Sequence, residues 1–117
     1  MKKKTLLIFD DEDDILDVLN SSFQDTFNVI TSNRIKDIIC QVNNANPDII
    51  LMDHWIPDIG GKEAIIRLKK ENTTKDIPVV VFTAYNDITS IMIDTKADGF
   101  VAKPFDVYKL KEYLEQY

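Results

Sequence analysis

Residues 49–52, Ile-Ile-Leu-Met, run without a polar interruption into Asp53. A strand with one face in water alternates apolar and polar side chains. An unbroken apolar run belongs to a strand covered on both faces, as in a parallel sheet. Pro57 and the pair Gly60–Gly61 then forbid the strand from continuing. Asp53 therefore stands where a buried strand surfaces into a loop, and in open α/β sheets that edge is where ligands bind.

The same pattern recurs along the chain. Thr5–Phe9 is a continuous apolar run that ends in Asp10-Asp11-Glu12-Asp13-Asp14. Ile15, Leu16, Val18, Leu19, Phe23 and Phe27 follow at helical spacing, with Asp13 or Asp14 as the expected N-cap. Phe27–Thr31 reads as a second strand. Ser32-Asn33 is the expected cap of a second helix marked by Ile35, Ile38, Ile39 and Val42, closed by the polar run before Pro47. Ala64, Ile65 and Leu68 mark a third helix that ends in Lys69-Lys70. Ile77–Phe82 is a β-branched strand ending at Thr83-Ala84, and residues 87–96 read as a short fourth helix through Ile88, Ile91 and Met92. Gly99–Ala102 is a brief fifth strand followed by Lys103-Pro104. Asp106 caps a last helix carrying Val107, Leu110, Tyr113 and Leu114 on one face. Five βα units with short connections and right-handed crossovers predict one domain over residues 1–117. Its fold is α/β, a doubly wound, five-stranded parallel sheet in the flavodoxin-like order 2-1-3-4-5.

Composition narrows the function. A chain of 117 residues that is 44% hydrophobic and 29% charged can bury a core. Its net charge of −6 argues against non-specific nucleic-acid binding, which needs a basic face. Lys2–Lys4 reads as a solvated tail protecting a sheet edge. The single cysteine, Cys40, excludes an internal disulfide; it lies in an apolar helix pattern and is expected to pack. No apolar run approaches membrane-spanning length and no signal peptide opens the sequence, so a soluble, cytoplasmic protein without a membrane partner is expected.

The strand ends carry the chemistry. Asp10-Asp11, Asp53, Thr83 and Lys103 each end an apolar strand at one edge of the sheet. In the predicted order the first and third strands are neighbours, about 4.8 Å apart. Carboxylates that close repel unless a pKa rises or a cation binds. A hard divalent cation with oxygen ligands, Mg²⁺, suits such a site, and the acidic run lacks the glycine and closing Glu of an EF-hand loop.

Four segments carry a resemblance that covers nearly the whole chain: FDDE at 9–12, LMDHWIPDIGGKE at 51–63, VFTA at 81–84 and GFVAKPF at 99–105. Together they resemble the receiver domain of two-component response regulators. The resemblance implies that Asp53 accepts a phosphoryl group from a phosphohistidine on a sensor histidine kinase or a histidine phosphotransfer protein. Asp10, Asp11, Asp53 and the backbone carbonyl of Trp55 would hold Mg²⁺. Thr83 would be the hydroxyl that moves onto the phosphoryl group, and Lys103, set by a cis bond to Pro104, the cation that pairs with it. Phe100 would be the aromatic switch residue. The fourth helix, fifth strand and last helix would form the responding surface, read by an output domain or a docking protein. The domain itself would not bind nucleic acid, and would be a monomer or dimerise on phosphorylation. Such a protein catalyses its own phosphorylation and dephosphorylation without being a conventional turnover enzyme.

Some residues depart from the family's habit. Trp55 places a large indole two residues after Asp53, where it would shield the acyl phosphate or restrict the donor. Strand alternation turns His54 away from Asp53, as a bystander. Phe100 replaces the commoner tyrosine, so any switch acts through packing. Lys96 stands where relatives often end a helix with Gly, and Met52 and Tyr85 read as packing or rim residues. Two other functions fit parts of the sequence. Asp11-x-Asp13 resembles the nucleophile motif of haloacid-dehalogenase-type phosphatases, with Asp11 attacking and Asp13 as acid/base. A receiver-like module that binds without being phosphorylated is the other.

Overall fold

Five strands carry the apolar runs: β1 (Lys4–Phe9), β2 (Phe27–Ser32), β3 (Ile49–Asp53), β4 (Val79–Ala84) and β5 (Gly99–Lys103). They pair in parallel in the order β2-β1-β3-β4-β5, the predicted flavodoxin-like arrangement. The computed structural model describes residues 3–84, 94–103 and 106–117. Its helices are α1 (Asp13–Phe23), α2 (Ile38–Ala45), α3 (Gly61–Lys70) and α4 (Val107–Leu114). Most of the helix expected over 87–96, with Tyr85 before it, and the Lys103–Pro104 bond lie outside the described residues. Among the described residues no helix is long and apolar enough to cross a membrane.

The unalternating strands have their explanation in two cores. Leu7, Phe9, Ile50, Met52, Val79 and Val81 face Ile38, Val42, Ala64, Ile65 and Leu68 of α2 and α3. Their strand neighbours Leu6, Ile8, Ile49, Leu51, Val80 and Phe82 face Leu16, Leu19, Phe23, Leu110 and Leu114 of α1 and α4. Successive side chains point to opposite faces, and both faces are covered. Every residue of β3 is buried, Met52 among them as packing.

Local chemistry moved several boundaries. Glu12, not Asp13 or Asp14, takes the N-cap position of α1 and makes no side-chain cap bond. Its amide is already held by Asp10 Oδ1 at 2.8 Å, so the first turn begins a residue early and Asp13 and Asp14 lie inside it. Helix α2 starts later than Ser32-Asn33 suggests. Asp37 caps it, accepting from the Cys40 amide at 3.1 Å. Gln41 Oε1 instead accepts from the Lys36 and Asp37 amides, which keeps that stretch out of the helix, while Ile35 stays buried from the loop. Cys40, expected to pack, is exposed, because Ile38 and Val42 take the buried face of α2. The basic run near the N-terminus protects no edge: Lys4 belongs to β1, which lies between β2 and β3. Lys3 Nζ donates to the Gln24 carbonyl at 2.9 Å and Lys4 Nζ to the Tyr117 carbonyl. The cap on α4 is as expected, with Asp106 Oδ1 accepting from the Tyr108 and Lys109 amides at 2.8 and 3.2 Å.

The link from β3 to α3 fixes the position of Asp53. Gly61 N donates to His54 O at 3.0 Å, closing the loop on itself. A Cβ on Gly61 would collide with the Asp53 carbonyl oxygen and lie 2.9 Å from His54 Cα. Ala is intrinsically favoured over Gly in a helix by up to about 1 kcal/mol, but this collision is with backbone that no rotamer can relieve. Gly61→Ala is therefore expected to destabilise by roughly 1–3 kcal/mol, read as a lower urea midpoint. A midpoint unchanged or raised would refute the close approach.

Candidate functional site

The carboxyl edge of the sheet gathers the residues singled out in the sequence. Asp10 follows β1 and is completely buried, and Asp53 ends β3 with 2% of its surface exposed. Asp11, next to Asp10, is exposed. One oxygen from each of the three lies within 4.8 Å of the others. Lys103, at the end of β5, reaches over the Phe82 ring, 4.7 Å from its centroid. Its Nζ stands 3.3 Å from Asp53 Oδ1 and 3.8 Å from Asp10 Oδ2. The Trp55 amide donates to the same Asp53 oxygen at 3.3 Å.

The electrostatics of this group are unbalanced. Three carboxylates face one ammonium. Burial pushes the Asp10 carboxyl up to about 6 from its ordinary 3.8, with the Asp53 charge adding to the rise; the Glu12 amide and Lys103 oppose it. Burial raises Asp53 as well, against the pull of Lys103 and the Trp55 amide. Asp10 Oδ1 is satisfied by the Glu12 amide, but Oδ2 is buried with no hydrogen-bond partner among the described residues. A buried carboxylate oxygen left without a donor is costly. Asp10 also lies beside two other carboxylates, the donor set of a hard cation such as Mg²⁺. Asp10, Asp11 and Asp53 thus fit a divalent ion on the chemistry of their own oxygens.

Thr83 is fully buried near the end of β4. The sheet register sets Asp53 beside Phe82, so the next residues, His54 and Thr83, are side by side. Their side chains meet: His54 Nδ1 and Thr83 Oγ1 share a hydrogen bond of 3.3 Å. The contact gives the imidazole a partner in Thr83 that the sequence pattern did not reveal, and it is compatible with a non-catalytic His54. The sequence held the signal, a polar ring directly after Asp53, but not the β3–β4 register that gives it a partner. The half-buried His54 ring also packs on Trp55, centroids 4.7 Å apart, while Trp55 remains 66% exposed. Phe100 is half-buried beside Val81 in the register and packs on the α2–α3 side of the sheet. Asp13, which the phosphatase reading needs beside Asp11, accepts instead from Asn33 Nδ2 at 3.1 Å.

Comparison with known proteins agrees with this arrangement. The family model for the response regulator receiver domain matches residues 6–115. The phosphate regulon transcriptional regulatory protein PhoB of Escherichia coli (strain K12) is 31% identical over 110 residues, which are 92% of this chain and 48% of that protein. The chain therefore spans about half the length of that relative. Sporulation initiation phosphotransferase F of Bacillus subtilis (strain 168) is 29% identical over an alignment covering 100% of this chain and 95% of its own length. Among solved structures, a putative response regulator from Chloroflexus aurantiacus superposes with a TM-score of 0.89 at 26% identity, covering 98% of this chain and 97% of that one. The chemotaxis response regulator CheY4 of Vibrio cholerae shares the fold, with a TM-score of 0.88 at 21% identity and 98% of both chains covered. The match to the family model takes in β2 to β5, most of β1 and the residues at the strands' carboxyl ends, and the chain belongs to the receiver-domain family of two-component response regulators.

Proposed function

We propose that this receiver accepts a phosphoryl group on Asp53 in a Mg²⁺-dependent reaction, from a phosphohistidine on a sensor kinase or phosphotransfer protein. The observation that carries the proposal is the buried Asp53 carboxylate held by Lys103 at 3.3 Å, beside an Asp10 oxygen with no hydrogen-bond partner among the described residues. An Asp53 oxygen attacks phosphorus, the P–N bond to the donor imidazole breaks, and its electron pair stays on that ring. A carboxylate is a weak nucleophile for an anionic phosphoryl group, so the site acts mainly by alignment and charge neutralisation. Mg²⁺ held by Asp10, Asp11, Asp53 and the Trp55 carbonyl would supply most of that neutralisation. Lys103 contributes the rest from the opposite strand.

The acyl phosphate adds nearly two negative charges and several acceptor oxygens. Thr83 and Lys103 then make charge-assisted hydrogen bonds that were absent before. Thr83 leaves space on the face of the sheet that carries Phe100, and repacking of this ring conveys the change to the output surface. Slow hydrolysis resets the site, and Trp55, exposed at its rim, tunes water access. A cytoplasmic setting suits the free, exposed Cys40. The output follows one of two precedents: a further domain, as the length of PhoB beyond the match suggests, or docking by the receiver alone, as the end-to-end match to sporulation phosphotransferase F suggests.

Two measurements test the site. Incubation with Mg²⁺ and acetyl phosphate is expected to add one phosphoryl mass, lost in Asp53→Asn and when EDTA removes the metal. An unchanged mass in the unsubstituted protein would overturn the reading. The second is a pH dependence. Without Mg²⁺, Asp10 titrates near 6 when folded and near 3.8 when unfolded. Between those values the folded protein holds a proton that the unfolded chain has released. Asp10's contribution is thus fully present below 3.8 and is lost as pH rises through 6. Asp10→Asn keeps the Oδ1 acceptor and removes the charge. In EDTA it is expected to be more stable than the unsubstituted protein above pH 7, by on the order of 3 kcal/mol, and to converge with it near pH 4. It should also lose the Mg²⁺-induced rise in melting temperature. A pH-independent difference between the two proteins would refute the assignment.

A further inference from the structure

The His54–Thr83 hydrogen bond has no part in the phosphoryl chemistry just described. Thr83 is fully buried, and His54 Nδ1 stands 3.3 Å from its hydroxyl. The imidazole is placed by backbone bonds on both sides: His54 N donates to Phe82 O at 3.2 Å, and His54 O accepts from Gly61 N at 3.0 Å. The ring is backed from outside by Trp55, centroids 4.7 Å apart. A side chain anchored at β4 and α3 and packed on its outer face presents Nδ1 to the hydroxyl without further ordering. Strand alternation puts His54 and Asp53 on opposite faces, so a Thr83 hydroxyl engaged with His54 is turned away from Asp53. A β-branched side chain moves between such orientations by changing rotamer wells, not by sliding.

We propose that His54 is a positioning residue that holds the Thr83 hydroxyl in its resting orientation and sets the cost of turning it towards a phosphoryl group on Asp53. The inference rests on the phosphoacceptor reading of Asp53 and adds to it the element that opposes the switch. Removing the hydrogen bond biases the domain towards its phosphorylated arrangement, since a two-state equilibrium shifts by whatever free energy one state loses.

The test titrates BeF₃⁻, a phosphoryl mimic, in Mg²⁺ at fixed pH and reads binding by NMR. His54→Leu is expected to bind about three- to tenfold more tightly than the unsubstituted protein, the range of one net hydrogen bond. His54→Asn, which returns a polar atom near the position of Nδ1, is expected to stay within about twofold of the unsubstituted protein, less than one net hydrogen bond. In a Thr83→Val background the effect of His54→Leu should vanish. Three results overturn the proposal: His54→Leu binding no more tightly, His54→Asn tightening as much as His54→Leu, or tightening that persists without the Thr83 hydroxyl. Should Thr83→Val no longer bind, the Asn variant alone decides. Failure of the unsubstituted protein to bind BeF₃⁻ overturns the phosphoacceptor reading and this one with it. Normal binding that is indifferent to His54→Leu overturns this one alone.

Discussion

Among the described residues Asp10 Oδ2 is a buried carboxylate oxygen with no hydrogen bond, 3.8 Å from the Lys103 ammonium. Much of the site follows from that atom. It cannot be solvated, and Lys103 is shared with Asp53, so the charge at the edge of the sheet is left unbalanced. A fold selected for stability alone would place an amide or an apolar group here, because an unpaired buried charge costs more than its packing returns. The apolar strands on either side hold the carboxylates in place in spite of their repulsion. In the proposed reaction the free energy stored there would be recovered when a cation binds or the phosphoryl group redistributes charge, so the imbalance that weakens the resting domain would favour its response.

The sheet sets the terms of that response through register. The β4–β5 register brings Lys103 over the Phe82 ring, and pairing Asp53 with Phe82 brings the aspartate to that ammonium and sets His54 beside Thr83. A shift of one residue would exchange the faces and separate all three. Both faces of β3 and β4 are packed against helices, so such a shift would also expose a full set of core side chains. The site is therefore placed as exactingly as the core beneath it.

Sequence patterns revealed the architecture because each strand is buried on both faces and reads as an unbroken run. Asp10, Asp53, Thr83 and Lys103 were legible for the same reason: each is the polar residue that ends a run. What escaped was decided by local competition that periodicity does not record. Asp10 Oδ1 holds the Glu12 amide and moves the start of α1; Gln41 holds the Lys36 and Asp37 amides and delays α2. Cys40 lies between two residues of the buried face of α2 and looks apolar in pattern, yet the turn places it outside. The partner of His54 escaped for a different reason. Alternation gave its face correctly, but the contents of that face depend on which residue of β4 lies alongside, and no local pattern states a register between strands.

The two polar neighbours of Asp53 therefore act in opposite senses. Lys103 comes from β5 on one side and stabilises negative charge on the aspartate, more strongly as that charge grows. His54 holds the Thr83 hydroxyl on the other face, and its hold does not depend on the charge at Asp53. Under the proposed phosphorylation of Asp53 the first interaction would strengthen and the second would be lost. A switch with only the first would turn in proportion to charge, with Thr83 sampling both orientations at rest. Adding the second gives the hydroxyl a definite resting partner, and the change of partner becomes a choice between two packed arrangements. In the proposed switch His54 would thereby sharpen the distinction between resting and phosphorylated states without contributing to the phosphoryl chemistry itself.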